Sequence, residues 1–408
     1  MPSVKTEQQR NDHWRCLLVG TFLILCFYLA VGPNRVLPGD EMRFIETSRT
    51  FSENLSLNLL KHYEEMSTPL PFIYFGAMGK IIGFELWQIR LAAIIIAVLT
   101  LDQLCRLGHI AINKRSHWWL FIASCCLANP YFLPMSTMVY TDMLAVLFVI
   151  WAVRAFYQSR SIELAICCAG MLLCRQYMIF LIMSFLAVLF IQWLWQPRQR
   201  RTSMQLGIAV LTGCLPFVCL VGFWGSLTPD NHVRQVYINL TRSFHITSLV
   251  LYISLCALYC LPVIVVCRKQ LLCSYKFCIL ALILSQIYWY FPVRVSPPSE
   301  HGGYLTVGLA HRLFNTVNPS LILSDIVFYI GLVLGIWILS QLIADTLKKA
   351  KADIAMLNAL PLASVLFFLL IMPWSYLHWE KYFLPAVPFM HLLIMQKAPQ
   401  ATRQEEQV

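Results

Sequence analysis

Two adjacent carboxylates, Asp40 and Glu41, stand a few residues past a long apolar run that begins near Trp14. A second pair, Glu64 and Glu65, precedes the turn Thr-Pro-Leu-Pro, and Asp142 heads another apolar run in VYTDMLAVLF. Arg175 sits between two apolar runs in LLCRQYMIF, while Arg294, Arg312 and Lys381 lie later, among Tyr288, Trp289, Tyr290, Tyr304, Trp374, Tyr376, His378, Trp379 and Tyr382. A carboxylate near a bound hydroxyl can remove its proton, and a guanidinium is the preferred fork for a phosphate. Aromatic rings can stack on a sugar. Charge is costly beside a bilayer, so such groups serve chemistry or snorkel to the headgroups.

Each candidate also has a plain structural explanation. Asp40, after Gly39, is placed to cap a helix over EMRFIETSRTFSENLSLNLLKHY, whose Phe44, Ile45, Phe51, Leu55, Leu59 and Leu60 recur at near-helical spacing. Alternatively, that surface helix fixes the Asp40 carboxylate over a cavity, where it acts as general base. Thr68-Pro69 starts a further helix whose dipole Glu64 and Glu65 favour, or the two acids form a second carboxylate region of the same loop. Thr141-Asp142 is a helix cap or a member of the site. Arg175 snorkels or binds an anion, and the aromatic residues form an interfacial belt or a sugar platform.

The elements that must position these residues belong to a membrane. Of 408 residues 59% are hydrophobic and 12% charged, with mean hydropathy +0.65; a soluble domain carries about twice that charge fraction. Apolar runs recur along the whole chain, which predicts an all-α polytopic membrane protein, one membrane-embedded domain over 1–408, with about twelve transmembrane helices. They are placed near 14–32, 88–107, 117–134, 139–157, 161–174, 177–195, 204–227, 245–266, 276–292, 321–343, 355–372 and 384–396. Residues 34–87 form the first outer loop, with TPLPFIYFGAMGKIIGF lying along the surface or dipping in without crossing, because its prolines, glycines and Lys80 make a poor span.

Charge supports this layout. CRLGHIAINKRSH, RAFYQSRS, QPRQRRT, CRKQLLCSYK and LKKAKAD then all face the cytoplasm, as the positive-inside rule requires. The net charge of +11 thus orients spans, and no nucleic-acid partner is expected. The fifteen cysteines lie mostly within or at the ends of apolar runs, without zinc-like spacing.

GDEMRFIETSRTF, EEMSTPLPFIYFGAMGKIIGFELWQIRLAA, YTDMLAVLFVIWAVRAF, CRQYMIF and HWEKYFLPAVPFMHLLI together resemble, in order and place, the GT-C class of membrane glycosyltransferases. They are similar to the protein O-mannosyltransferases and lipid A aminoarabinose transferases, and around Asp40, Thr141 and Arg175 to the dolichyl-phosphate-glucose glucosyltransferases. Pro-Leu-Pro replaces the Pro-Pro or Pro-Gly of those groups, and the resemblance covers the N-terminal half and one C-terminal patch.

The resemblance implies transfer of a sugar from a polyprenyl-phosphate donor to a hydroxyl of a lipid-linked glycan, lipid or protein at the outer or lumenal face, with inversion. Asp40 would be the catalytic base, with Glu41 beside it. Glu64, Glu65, Asp142, His378 and Tyr382 would contact acceptor or sugar, and Arg175, Arg294, Arg312 and Lys381 would neutralise the donor phosphate. No cofactor is expected: a divalent ion between Asp40 and Asp142 would suit some relatives, but the chain has no clear Asp-x-Asp. The compact chain suits a bacterial inner membrane, with the ER membrane as the alternative. A transporter or lipid-linked glycan flippase is the competing class, expected to show broken helices in two related halves.

Overall fold

The computed structural model describes residues 4–37, 39–112, 114–232, 243–294, 307–318, 320–350, 356–375 and 377–396. Tyr304 and Tyr376 lie outside them. The described residues are helical, with no β-strand among them. They fall into two compact units: Met1–Leu107, Pro130–Phe244 and Trp374–Tyr376 in the first; Gly108–Asn129, His245–Pro373 and Leu377–Val408 in the second.

The first unit begins with α1 (Val4–Val31), α2 (Glu41–Glu53), α3 (Leu57–His62), α4 (Leu70–Ile82) and α5 (Leu86–Ala111). Past α6 (Arg115–Ala123), a helix of the second unit, come α7 (Phe132–Thr137), α8 (Thr141–Tyr157), α9 (Ser161–Cys174), α10 (Ile179–Trp195) and α11 (Arg200–Trp224). α8 and α11 pack along α9, α10 along α11, and α2 along α4. The second unit adds α12 (Ile246–Leu258), α13 (Leu261–Leu271), α14 (Tyr275–Leu284), α15 (Leu309–Val317), α16 (Ile322–Ala350), α17 (Met356–Ile371) and α18 (Val387–Met395). α12 and α14 pack on α16 and α17 on α18.

Among the described residues five helices are long and apolar enough to cross a membrane, Glu7–Val31, Leu86–Ala111, Gln176–Trp195, Pro197–Trp224 and Ile322–Lys348, and a bent pair, Ile246–Leu258 with Leu261–Leu271, passes the same test as a sixth if taken as one span. They turn large apolar side chains outward, Leu18, Phe22 and Leu29 on α1 and Leu211, Leu215 and Val218 on α11 among them, as a lipid-facing surface does. The chain is a membrane protein.

Other expected spans take different forms. The run at 245–266 is not one straight helix: α12 and α13 meet at an angle of 82°. The run at 117–134 is interrupted, since α6 passes into a π turn at Ser124–Ala128 and α7 starts only at Phe132. The segment at 384–396 yields the nine-residue α18, buried throughout.

TPLPFIYFGAMGKIIGF forms the 13-residue α4, about 20 Å long and too short to cross about 30 Å of hydrocarbon alone. It starts directly after Thr68-Pro69, where a proline-led helix is expected. Gly76 lets it press on α2, because a Cβ there would lie 2.6 Å from the Ser48 carbonyl oxygen. The expected helix over 41–63 is two helices, α2 and α3, because Ser56 accepts from the Leu59 N–H and begins a new one. Phe44, Ile45 and Phe51 are buried, but Leu55, in the break, is 66% exposed and leaves the apolar face.

Candidate functional site

Asp40 occupies the N-cap position of α2, but its backbone is helical (φ −83°, ψ −4°) and its side chain makes no capping bond. Its Oδ1 instead lies 3.2 Å from Arg43 Nη2, one turn along the helix, with the carboxylate 40% exposed. Its backbone N–H donates to the Tyr140 hydroxyl at 3.3 Å. Gly39 is required in front of it: φ there is +141°, and a Cβ would meet the same hydroxyl at 2.6 Å.

Its neighbour Glu41 has another fate. Buried, it takes a two-pronged bond from Arg90, Nε to Oε1 at 2.9 Å and Nη2 to Oε2 at 2.6 Å, and Oε1 also accepts the Val139 N–H at 3.0 Å. Arg90 donates further to the carbonyls of Gly32, Pro33 and Arg35. The pair thus clamps the end of α1 and the start of α2 to α5 and to the approach of α8. Its geometry is that of an anchor, and such a desolvated pair needs every bond it makes.

Glu64 is exposed and Glu65 buried. Glu65 Oε1 accepts from Arg43 Nε at 2.7 Å, so Arg43 joins Asp40 to Glu65. The backbone under Glu65 is pinned: Asn231 Nδ2 donates to the Tyr63 carbonyl at 2.8 Å and to the Glu65 carbonyl at 3.1 Å. The Tyr63 hydroxyl donates to the Ser67 carbonyl at 2.6 Å, Thr68 Oγ1 to that of Leu172 at 3.0 Å, and Gln176 to that of Met66. Below lies an aromatic cluster, Phe44, Phe51, Tyr63, Phe72 and Tyr140, with centroids 5.2–6.2 Å apart. Each such contact contributes about 0.5–1.5 kcal/mol beyond area burial, and together they tie α2, α4, the Glu65 loop and the start of α8. Burial pushes the Glu65 carboxyl up to about 7, against the pull of Arg43 and with a push from Asp40.

Asp142 does not cap α8, whose N-cap position is Tyr140. Fully buried, it accepts from Arg175 Nη2 at 2.8 Å and from the Tyr177 hydroxyl at 3.4 Å. Arg175 ends α9 in an extended conformation and is only 9% exposed, so it does not snorkel. Its charge also acts on Glu65. Segments around 40, 65, 142 and 175, far apart in sequence, are therefore brought together within the first unit.

The other candidates belong to the second unit. Arg294 is paired with Asp325 at 3.1 Å, and Asp325 also accepts from the Tyr288 hydroxyl at 3.0 Å. Arg312 is exposed on α15. Lys381 Nζ stands 5.4 Å from the Trp379 ring centroid and 5.6 Å from that of Tyr382, within cation–π range of both. His378 is buried, which holds its imidazole down to about 4 and so uncharged at neutral pH. Between Trp379 and Lys381, Glu380 is fully buried: its oxygens accept the Tyr259 hydroxyl at 2.7 Å and the N–H groups of Ala310 and His311 at 2.9 and 2.8 Å. It supplies the anion that the N-terminus of α15 favours.

Sequence reasoning did not single out Arg43, Arg90, Tyr140, Tyr177 or Glu380. Arg43 had a local signal, since residues three apart share a helix face. Arg90 pairs across 49 residues, and no local pattern marks it. Among the described residues no three His, Cys, Asp or Glu side chains are grouped to hold a metal ion. No family model, curated protein or solved structure matches the chain.

Proposed function

We propose that this protein is a membrane glycosyltransferase of GT-C type that moves a sugar from a polyprenyl-phosphate donor to a hydroxyl acceptor. The observation that carries the proposal is Asp40: a half-exposed carboxylate that makes no capping bond to its helix and pairs with Arg43, which links it to the buried Glu65, itself within reach of the Arg175 charge. An acid needed only for capping would turn its oxygen to the N–H groups of the first turn.

In the proposed step the acceptor O–H approaches the anomeric carbon from the face opposite the phosphate. Asp40 takes the hydroxyl proton as the new C–O bond forms, and the old bond to the phosphate oxygen breaks with its electron pair. The leaving group is polyprenyl phosphate, and the product has inverted configuration. Arg175 contributes positive charge to the developing phosphate dianion. Asp142, bonded to Arg175 and Tyr177, fixes that guanidinium. The site draws on the first unit alone, and the outer or lumenal face is assigned from the basic connections on the other side.

The competing transport reading draws on the 82° break between α12 and α13. Tyr259, in that break, already donates its hydroxyl to Glu380, which suits a structural junction. The deciding experiment offers purified protein a panel of radiolabelled polyprenyl-phosphate sugars with lipid and peptide acceptors. Release of polyprenyl phosphate with an inverted glycoside is expected from one donor. Movement of intact donor across vesicles, without its consumption, would support transport instead.

A further inference from the structure

We propose that Glu65 is a positioning residue for Asp40, acting through the Arg43 guanidinium that lies between them. The inference rests on the role proposed for Asp40 and adds to it a third participant that never touches the reacting atoms. Three features carry it. Glu65 is the fixed end: its side chain is buried, and its loop is held by Asn231, Tyr63, Thr68 and Gln176. Arg43 is the adjustable middle, its side chain 53% exposed on a flexible stem that only its partners can order. Asp40 is the working end, partly open to solvent.

The two bonds of Arg43 are unequal. Its Nε meets Glu65 at 2.7 Å, whereas Nη2 reaches Asp40 only at 3.2 Å. Glu65 therefore holds the guanidinium back, so that it orients Asp40 without closing on it as a two-pronged pair. Without that restraint Arg43 would either turn both prongs to Asp40, making it a weaker base, or swing into solvent and release it.

The charged and titratable groups facing Glu65 are Arg43, Asp40, Arg175 and Tyr63. Burial outweighs the two arginines and pushes the carboxyl up to about 7, and burial, with the Glu65 charge, pushes the Tyr63 hydroxyl well above its ordinary value. When Glu65 is protonated Arg43 loses its anionic anchor; when it ionises the anchor is restored. Positioning of Asp40 thus switches on as pH rises through the neutral range.

The test measures sugar transfer against pH for wild type, Glu65→Gln and Glu65→Asp, with detergent-solubilised full-length protein and the donor consumed by the wild type. In the wild type kcat is expected to rise through an inflection near pH 7. Glu65→Gln should lose that inflection and about tenfold in kcat at alkaline pH, with KM little changed, and Glu65→Asp should restore the inflection and part of the rate. Should Glu65→Gln keep the wild-type rate and inflection, or lose rate only through KM, the proposal is overturned.

Infrared titration separates this failure from failure of the transferase reading. The Asp40 carboxylate band, identified by its loss in Asp40→Asn, should shift near pH 7 in the wild type and stay still in Glu65→Gln. This readout needs no turnover. A band that shifts alike in both proteins refutes the coupling even if no donor is ever consumed, and absence of transfer alone refutes only the chemistry assigned to Asp40.

Discussion

Two buried carboxylates, Glu65 in the first unit and Glu380 in the second, are satisfied in opposite ways. Glu380 accepts from neutral donors, the Tyr259 hydroxyl and two N–H groups at the head of α15. Glu65 is matched by a half-exposed arginine whose other end holds a half-exposed aspartate. The first arrangement joins parts of a fold. The second leads from a fixed interior group to a partly exposed one, which the proposed site requires and a structural junction does not.

The contrast is broken or sharpened by substitution. The largest stability effect is expected at the Glu41–Arg90 pair, the first unit's own junction. Glu41→Ala or Arg90→Ala leaves the other charge buried and unpaired and should cost about 3–5 kcal/mol, read as a lowered thermal midpoint or unfolding in detergent. Glu380→Gln comes next. The amide retains shape but presents N–H groups where the Ala310 or His311 N–H must be accepted, which should cost about 1–3 kcal/mol. If Glu380→Gln proved costlier than Glu41→Ala, the distinction between charge-paired and neutral junctions would be lost.

Glu65→Gln should do the reverse at high pH. The folded carboxyl is raised to about 7 from an ordinary 4.5, so the folded state binds its proton more tightly than the unfolded chain. The stability contributed is full below pH 4.5 and is lost as pH rises through 7. The Gln variant lacks this titration. Its stability should match the wild type below pH 4.5, exceed it increasingly as pH rises from 4.5 to about 7, and keep that margin at alkaline pH, measured by thermal unfolding across pH. A wild type as stable at high pH as the variant would mean that Arg43 fully offsets the burial.

The two regions also differ in how far the sequence revealed them. A helical chain with membrane-spanning character was legible from composition, and a short helix at 70–82, too short to span, from its prolines and glycines. Asp40, Glu65, Asp142 and Arg175 were legible as charges out of place in an apolar chain. Their partners were not, because Arg90–Glu41, Arg43–Glu65 and Arg175–Asp142 join residues 49, 22 and 33 positions apart, distances at which periodicity carries no information. The break at Leu258–Leu261 went unseen for a related reason. Apolar side chains continue through it, and its one local mark, Pro262 in the first turn of α13, was not used to end the span.

The most direct test of the central claim is sugar transfer by Asp40→Asn. Since the Asp40 side chain makes no capping bond and Asn is a good N-cap residue, the variant should fold with an unchanged thermal midpoint. Loss of the general base should lower kcat by about 10²–10⁴-fold, with donor binding retained. A variant that folds and transfers sugar at the wild-type rate would contradict the assignment of Asp40 as the base.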